Sequence, residues 1–328
     1  MDNNKKERGF ITIAIGDYYR YLAKMLAITY RLNSNSKLQF AIVTDKSDEE
    51  LEKLFDIIII EPEKLADGYL YKLKLNVYSP FMETIFLDAD QFVIDDLNGY
   101  WEFFKDCDFG VIGKNKNIEN VGIVDAEKVK KDFNVTVVPM FNGGVYYFKD
   151  TEKAKKVFDD ALMLIDKYDY YGMPKFINAG VKKLSKGDEP LFVLAMAINS
   201  CFAVRDVWHR TNFHVNKSKA LELDVIKKKC TFIKKYWGRV YPTIIHFGTD
   251  NTKLYHYKKE AFKIKLCWNY NMSSLISNTL IFPYTLWYIS KSILWQSLFY
   301  FKNRNMELFP VKDPTFNAFK KLKKRFRD

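Results

Sequence analysis

The chain has 328 residues, 48% hydrophobic and 28% charged, which excludes a disordered polymer and leaves room for one large or two modest domains. A core of that size needs no disulfide staples. Lysine and arginine outnumber aspartate and glutamate by 52 to 40, a net charge of +12 that favours an anionic partner: nucleic acid, an anionic membrane surface or a phosphorylated small molecule. A solvated basic surface explains the charge equally well. Cys107, Cys201, Cys230 and Cys267 form no C-x-x-C pair, which argues against a zinc ribbon or thioredoxin-like site. The polar start, Met1 to Arg8, leads into an apolar stretch too short and mixed for a signal peptide, so a reduced, cytoplasmic chain is expected.

In chain order, the β-branched run Phe10 to Ile15 predicts a first buried strand, ending at Gly16-Asp17. Leu22, Leu26 and Tyr30 recur at helical spacing within Tyr21 to Leu32. Leu38 to Val43 and Ile57 to Ile60 predict two further strands, with a short acid-led helix opening at Ser47 between them. Leu70 to Tyr78 reads as a helix, and Thr84 to Leu87 as a fourth strand. This alternation predicts an α/β fold with a mixed, mainly parallel sheet flanked by helices, in which ligands sit beyond the carboxyl ends of the strands. Phe109 to Ile112 and Val135 to Phe148 are further strand-like runs, and the charged stretch between them, Gly113 to Asn134, is expected to be a mobile loop with one helical piece. Helices follow at Thr151 to Tyr168 and Glu189 to Asn199, and a late strand at Ile244 to Phe247.

The composition shifts near residue 255, giving an expected catalytic domain over 1–255 and an extension over 256–328. Leu275 to Phe301 is rich in Leu, Ile, Phe, Trp and Tyr, but Pro283 and Lys291 make it a poor membrane span. The dense basic run Lys320 to Arg327 follows it. Two readings stand: an element lying on an anionic membrane, which would place the protein peripherally on the cytoplasmic membrane face, or a helical subdomain with a solvated tail.

The chemistry centres on Asp88-Ala89-Asp90, directly after the fourth strand. Two carboxylates two positions apart on extended backbone point the same way and can share one divalent cation. By itself so short a motif is more often a strand-end turn. Other segments accompany it: Tyr71-Lys72-Leu73-Lys74, Asn142-Gly143-Gly144 within Met140 to Phe148, Gly187-Asp188-Glu189-Pro190, and Ile244-Ile245-His246-Phe247-Gly248.

Taken together, from about Phe10 to about Gly248, these segments resemble the GT-A-fold glycosyltransferases, most of all family 8, the glycogenin and bacterial lipopolysaccharide galactosyltransferase group. The resemblance implies that Asp88, Asp90 and His246 hold Mn²⁺ or Mg²⁺ against the diphosphate of a UDP-sugar. It implies that Asn142, Gly143 and Gly144 face the donor sugar and that Asp188 contacts the sugar near the reacting carbon. Lys72 matches a basic position near the diphosphate, Tyr18 lies where contacts to the base begin, and Gly248 and Lys253 fall in the loop after the late histidine. Residue by residue, ordinary structural roles also suit these positions: an N-cap for Asp188, a solvated helix face for Lys72, a core imidazole for His246. After His246 the glycine comes early and no Pro-Trp pair follows, so the closing loop departs from the family's pattern.

The expectation is a metal-dependent, retaining hexosyltransferase acting on a glycan, glycolipid or protein hydroxyl. A non-catalytic sugar-nucleotide-binding or membrane-bound scaffold on the same fold is the alternative. A phosphohydrolase built on an Asp-x-Asp nucleophile pair is disfavoured, because the pair lies well into the chain and Phe92 stands where such enzymes carry Thr or Val. No nucleic-acid partner is expected, since the densest basic run is confined to the tail and no recognised motif accompanies it.

Overall fold

The four apolar runs expected as the first strands do form strands, and they lie side by side. The computed structural model describes residues 5–61, 68–178, 183–205, 213–214, 218–234, 238–248 and 250–302. The first half runs β1 (Lys6–Ala14), α1 (Asp17–Asn33), β2 (Gln39–Thr44), α2 (Glu49–Leu54), β3 (Ile57–Ile60), a 3-10 turn (Gly68–Lys74) leading into α3 (Leu75–Tyr78), β4 (Phe81–Leu87), β5 (Gln91–Val93), α4 (Gly99–Phe103), β6 (Phe109–Gly110), β7 (Gly113–Asn117), α5 (Ala126–Phe133), β8 (Val137–Phe141) and β9 (Val145–Lys149). Then come α6 (Glu152–Met163), β10 (Lys175–Asn178), β11 (Lys183–Lys186), α7 (Asp188–Ile198), β12 (Phe213–His214), β13 (Ser218–Asp224), β14 (Lys229–Lys234), β15 (Gly238–Val240), β16 (Ile244–His246), α8 (Tyr255–Tyr270) and α9 (Ser274–Lys302).

The central sheet has the order β3-β2-β1-β4-β9-β6. Its first four strands are mutually parallel, and β9 runs antiparallel to both β4 and β6. This is the mixed, mainly parallel sheet that the alternation of strands and helices predicts. From β1 the chain moves outward to β2 and β3, then returns to place β4 on the other side of β1. The order therefore reverses between β1 and β4, and in open α/β sheets the crevice at such a reversal is where ligands bind.

Both faces of the sheet are covered. Successive residues of a strand point to opposite faces, and Phe10 and Ile11 are both fully buried. Phe10 packs on Tyr30 of α1, Phe40 of β2 and Trp101 of α4, with ring centroids 5.1, 6.2 and 5.3 Å apart. Ile11 belongs to the opposite core, with Phe86, Tyr146, Phe158 of α6 and Phe192 of α7. There Phe86 and Tyr146, paired across β4 and β9, stack at 5.7 Å, and Tyr146 lies 4.9 Å from Phe192. The side of the sheet that carries Phe86 also receives Asp88, two residues on.

The chain divides into two compact units, Met1–His214 with Pro242–His246, and Val215–Tyr241 with Phe247–Asp328. The first holds the central sheet and a small sheet, β12-β16-β5. The second holds the antiparallel β13-β14-β15 sheet together with α8 and α9. In that unit the fully buried Glu260 and Lys263 of α8 are tied to the β13–β14 hairpin. The Val225 N–H donates to Glu260 (2.9 Å), and Lys263 lies 2.9 Å from Asp224 and 3.3 Å from Glu260. Charges this deep persist only when paired.

Two expectations are corrected. The helix expected over Leu70 to Tyr78 starts as a 3-10 turn and becomes α-helical only at Leu75. The segment Gly113 to Asn134, expected as a loop with one helical piece, does contain that helix, α5, but it also forms the strand β7 and is anchored by the buried Ile118, Val121, Ile123, Val124 and Val129. Its charges alternate with these apolar anchors, and composition alone averages the two together. All four cysteines are free thiols.

Gly9 of β1 lies against the ring of Phe81, and a Cβ there would meet ring carbons at 2.4 Å. Gly9→Ala is expected to cost about 1–3 kcal/mol in urea unfolding, and shortening the ring with Phe81→Leu in the same chain should recover part of that loss.

Candidate metal centre

Asp88 leaves the end of β4 and Asp90 the start of β5, and a pair of contacts fixes the turn between them. The carbonyl of Gly144 accepts from the backbone N–H of Asp88 (3.0 Å) and from the Gln91 side-chain amide (2.8 Å). The Ala89 N–H folds back onto Asp88 Oδ1 at 3.0 Å, and Ala89 itself is buried. β16 pairs antiparallel with β5, and its register sets His246 opposite Gln91. This pairing brings an imidazole from the far end of the sequence beside Asp90.

The three side chains converge. One ligand atom from each of Asp88, Asp90 and His246 lies within 4.8 Å of the others. His246 Nε2 is 2.8 Å from Asp90 Oδ1 and 3.9 Å from Asp88 Oδ2. The other ring nitrogen, Nδ1, is 2.7 Å from the Asn142 side-chain oxygen, across 104 positions of sequence. When Nδ1–H donates to that oxygen, Nε2 presents a lone pair toward the two carboxylates, as in metal-binding histidines whose second nitrogen is held by a carbonyl. Burial lowers the His246 pKa, but the charges of Asp90 and then Asp88 outweigh it and raise it overall.

Lys72 occupies the centre of the cluster. It is buried, so the expectation of a solvated helix face is set aside. Its ammonium donates to Asp88 Oδ2 (2.8 Å) and to the Gly143 carbonyl (3.2 Å), and lies 3.6 Å from Asp188 Oδ2. Burial opposes its charge, but Asp188 and Asp88 overcome it and hold Lys72 firmly protonated. For Asp88 burial is the largest influence and raises the carboxyl, Lys72 pulls it down, and Asp90 pushes it up again.

Asp188 is buried at the first position of α7, but it does not cap that helix. Gly187 takes the cap position, and Asp188 accepts a 2.6 Å hydrogen bond from the Tyr146 hydroxyl. Its neighbour Glu189 accepts from the Gly143 N–H at 3.1 Å, and burial, then the charge of Asp188, push its carboxyl up to about 7. Gly143 is required here: a Cβ would sit 2.6 Å from the Tyr146 hydroxyl and 3.2 Å from Asp188 Oδ2. Three aspartates thus surround one ammonium and one imidazole, with Glu189 close by, an excess of acid that a divalent cation is suited to balance.

At the β1 edge of the crevice, Gly16 adopts φ 88° and donates its N–H to Asp45 Oδ1 at 2.9 Å. Arg20 pairs with Asp45 and Asp17, fixing the start of α1. Tyr18 is 40% exposed there, edge-on to Tyr19. Burial, and then the phenol of Tyr19, push the Tyr69 hydroxyl up to about 12, with Asp88 and Asp188 adding to the rise. Gly248 and Lys253 belong to the second unit, where Gly248 has φ 68° and Lys253 lies 3.6 Å from Asp250.

The structure therefore gathers Lys72, Asp88, Asp90, Asn142, Gly143, Asp188 and His246, with Gly144 acting through its backbone. Tyr146, Glu189 and Tyr69 join them without having been singled out in the sequence. Tyr69 was accessible, since it precedes Lys72 by one turn of a 3-10 helix and so shares its face.

No family model and no curated protein matches this sequence. Solved structures do match. The galactosyltransferase LgtC, in complex with donor and acceptor sugar analogs, is 14% identical over 77% of this chain and 95% of that one, with a TM-score of 0.47. The glycosyltransferase GlyE of Streptococcus pneumoniae TIGR4 is 12% identical over 86% of this chain and 64% of its own, with a TM-score of 0.47. Mouse xyloside xylosyltransferase 1 is 13% identical over 75% and 99%, with a TM-score of 0.43. At these values the likeness carries no argument about activity.

Gly143→Ala tests the packing of the site. It is expected to push the Tyr146 hydroxyl off Asp188 and lower stability by about 1–3 kcal/mol, and Tyr146→Phe, which removes the clashing oxygen, should restore much of the loss.

Proposed function

We propose that this chain is a metal-dependent glycosyltransferase of the GT-A type, moving a hexose from a UDP-sugar to a hydroxyl of a glycan, glycolipid or protein with retention at the anomeric carbon. One observation carries the proposal: Asp88, Asp90 and His246 offer three ligand atoms within 4.8 Å at the strand-order reversal, with Asn142 on the other nitrogen of His246. The donor set fits Mn²⁺ or Mg²⁺. Carboxylate oxygens are hard ligands, imidazole suits Mn²⁺ as a borderline one, and the local charge is negative. Asp88, Asp90 and His246 would hold the ion, which when bound neutralises charge on a leaving diphosphate.

The chain's own groups supply the rest. Lys72 is a fixed point charge that binds phosphate oxygens and offsets the repulsion between Asp88 and Asp188. Asp188 uses Oδ2 for both Tyr146 and Lys72, so Oδ1 is the oxygen that meets a sugar hydroxyl. By the resemblance Asn142, Gly143 and Gly144 face the donor sugar, while the absent side chain of Gly143 leaves room for the Tyr146 hydroxyl that holds Asp188. By the resemblance, Tyr18 stacks on the base. In a front-face attack the bond between the anomeric carbon and the UDP oxygen breaks as the bond to the acceptor oxygen forms. The acceptor proton passes to the departing phosphate, so no protein base is needed.

UDP with Mn²⁺ is expected to stabilise the folded chain by about 2.7 kcal/mol when present at a hundred times its dissociation constant, read as a rise in melting temperature. A panel of UDP-sugars should then identify a donor through UDP release. Asp90→Asn should lower that release by at least about a hundredfold, because even partners of metal ligands are worth 10- to 100-fold. Stabilisation without turnover on any donor would favour the non-catalytic scaffold, and full activity in chelated buffer would contradict the metal's role.

A further inference from the structure

α9 leaves a row of large apolar side chains exposed. Its inner face meets α8 through polar as well as apolar groups: Ser277 Oγ lies 3.3 Å from Cys267 Sγ, and the Tyr255 hydroxyl donates to Thr285 Oγ1 at 2.8 Å. Buried Ile281 and the Tyr288 ring, stacked 4.5 Å from Tyr255, complete that face. The outer face carries Leu275, Ile276, Leu280, Phe282, Leu286 and Trp287, all exposed, with Leu275 at 77% and Trp287 at 55%. At 100° per residue these six fall within about half of the helix circumference. A continuous apolar face of this kind on a folded chain marks an interaction surface.

Charge identifies what covers it. From Tyr255 to the end, the sequence holds 14 Lys and Arg against 4 Asp and Glu, which accounts for ten of the chain's twelve net positive charges. α9 itself contains no acidic residue, and Lys291 sits 4.9 Å over the Trp287 ring at the border of the apolar face. A second copy would bring the same positive segment against itself. No helix among the described residues is long and apolar enough to cross a membrane. An apolar half-face bordered by lysine and tryptophan, in a strongly basic segment, fits the interface of an anionic bilayer, where acyl chains take the apolar groups and headgroups take the charge.

We infer that α9 lies in the surface of an anionic membrane, burying Leu275, Leu280, Leu286 and Trp287 at the headgroup boundary. This inference is independent of the transferase reading, because its test reads binding alone. The full chain is sedimented with vesicles of phosphatidylcholine, with and without phosphatidylglycerol. Binding is expected on the mixed vesicles, falling with added salt, and much weaker on phosphatidylcholine alone. The variant Leu280→Ser/Leu286→Ser/Trp287→Ser, whose sites are exposed, should keep its melting temperature and bind at least about a hundredfold more weakly.

Undiminished binding by that variant, or equal binding to both vesicle types, would overturn the inference. So would a wild-type dimer that the variant breaks while neither binds vesicles. If the variant fails to fold, bromine-labelled acyl chains put the same question to the wild type. Tryptophan quenching is expected, reduced in Trp287→Phe, and its absence would equally overturn the inference.

Discussion

Carboxylates taken out of water must be matched by positive charge, and beyond the end of β4 three of them share one ammonium and one imidazole. Lys72 reaches Asp88 and Asp188 together, and His246 reaches Asp90 and Asp88. The rest of the site serves this arrangement. The Gly144 carbonyl fixes the turn through Asp88 and Gln91, Gly143 leaves room for the Tyr146 hydroxyl, and Asn142 orients the imidazole. The core supports it from below, since the Tyr146 ring that donates to Asp188 also stacks on Phe86, two residues before Asp88.

Such a cluster works against stability unless a cation completes it, and sites of function are where local rules of stability are broken. Here that breach lies in the crevice where strand order reverses. In the second unit, by contrast, buried charge is closed within the protein, Lys263 and Lys259 standing against Glu260 and Asp224. The contrast distinguishes the two uses of buried ions. One set is balanced and holds backbone together; the other carries an excess of acid.

Local sequence specified the strands well. Ile57–Ile60 forms as the run of isoleucines predicts, and the apolar Ile85-Phe86-Leu87 delivers Asp88 to the strand end. What sequence could not convey was non-local. His246 reaches Asp90 only because β16 pairs with β5, and nothing near residue 246 encodes that register; the resemblance of motif order alone pointed there. Asp188 stands where an N-cap would be read, yet Tyr146 and Lys72 draw its side chain away and Gly187 takes the cap position. The Gly113 to Asn134 segment misled for the opposite reason, because its few apolar anchors are outnumbered by surface charges. Glu189 joins the site through another non-local contact, the Gly143 N–H that it accepts across 46 positions of sequence.

The central claim is that His246 and the two aspartates hold one divalent ion. Pulsed electron paramagnetic resonance of Mn²⁺ bound to the chain in the presence of UDP tests it most directly. The account predicts a nitrogen coupling from a directly bound imidazole, present in the wild type and lost in His246→Gln. Mn²⁺ bound without any nitrogen coupling, or a coupling that survives in His246→Gln, would contradict it.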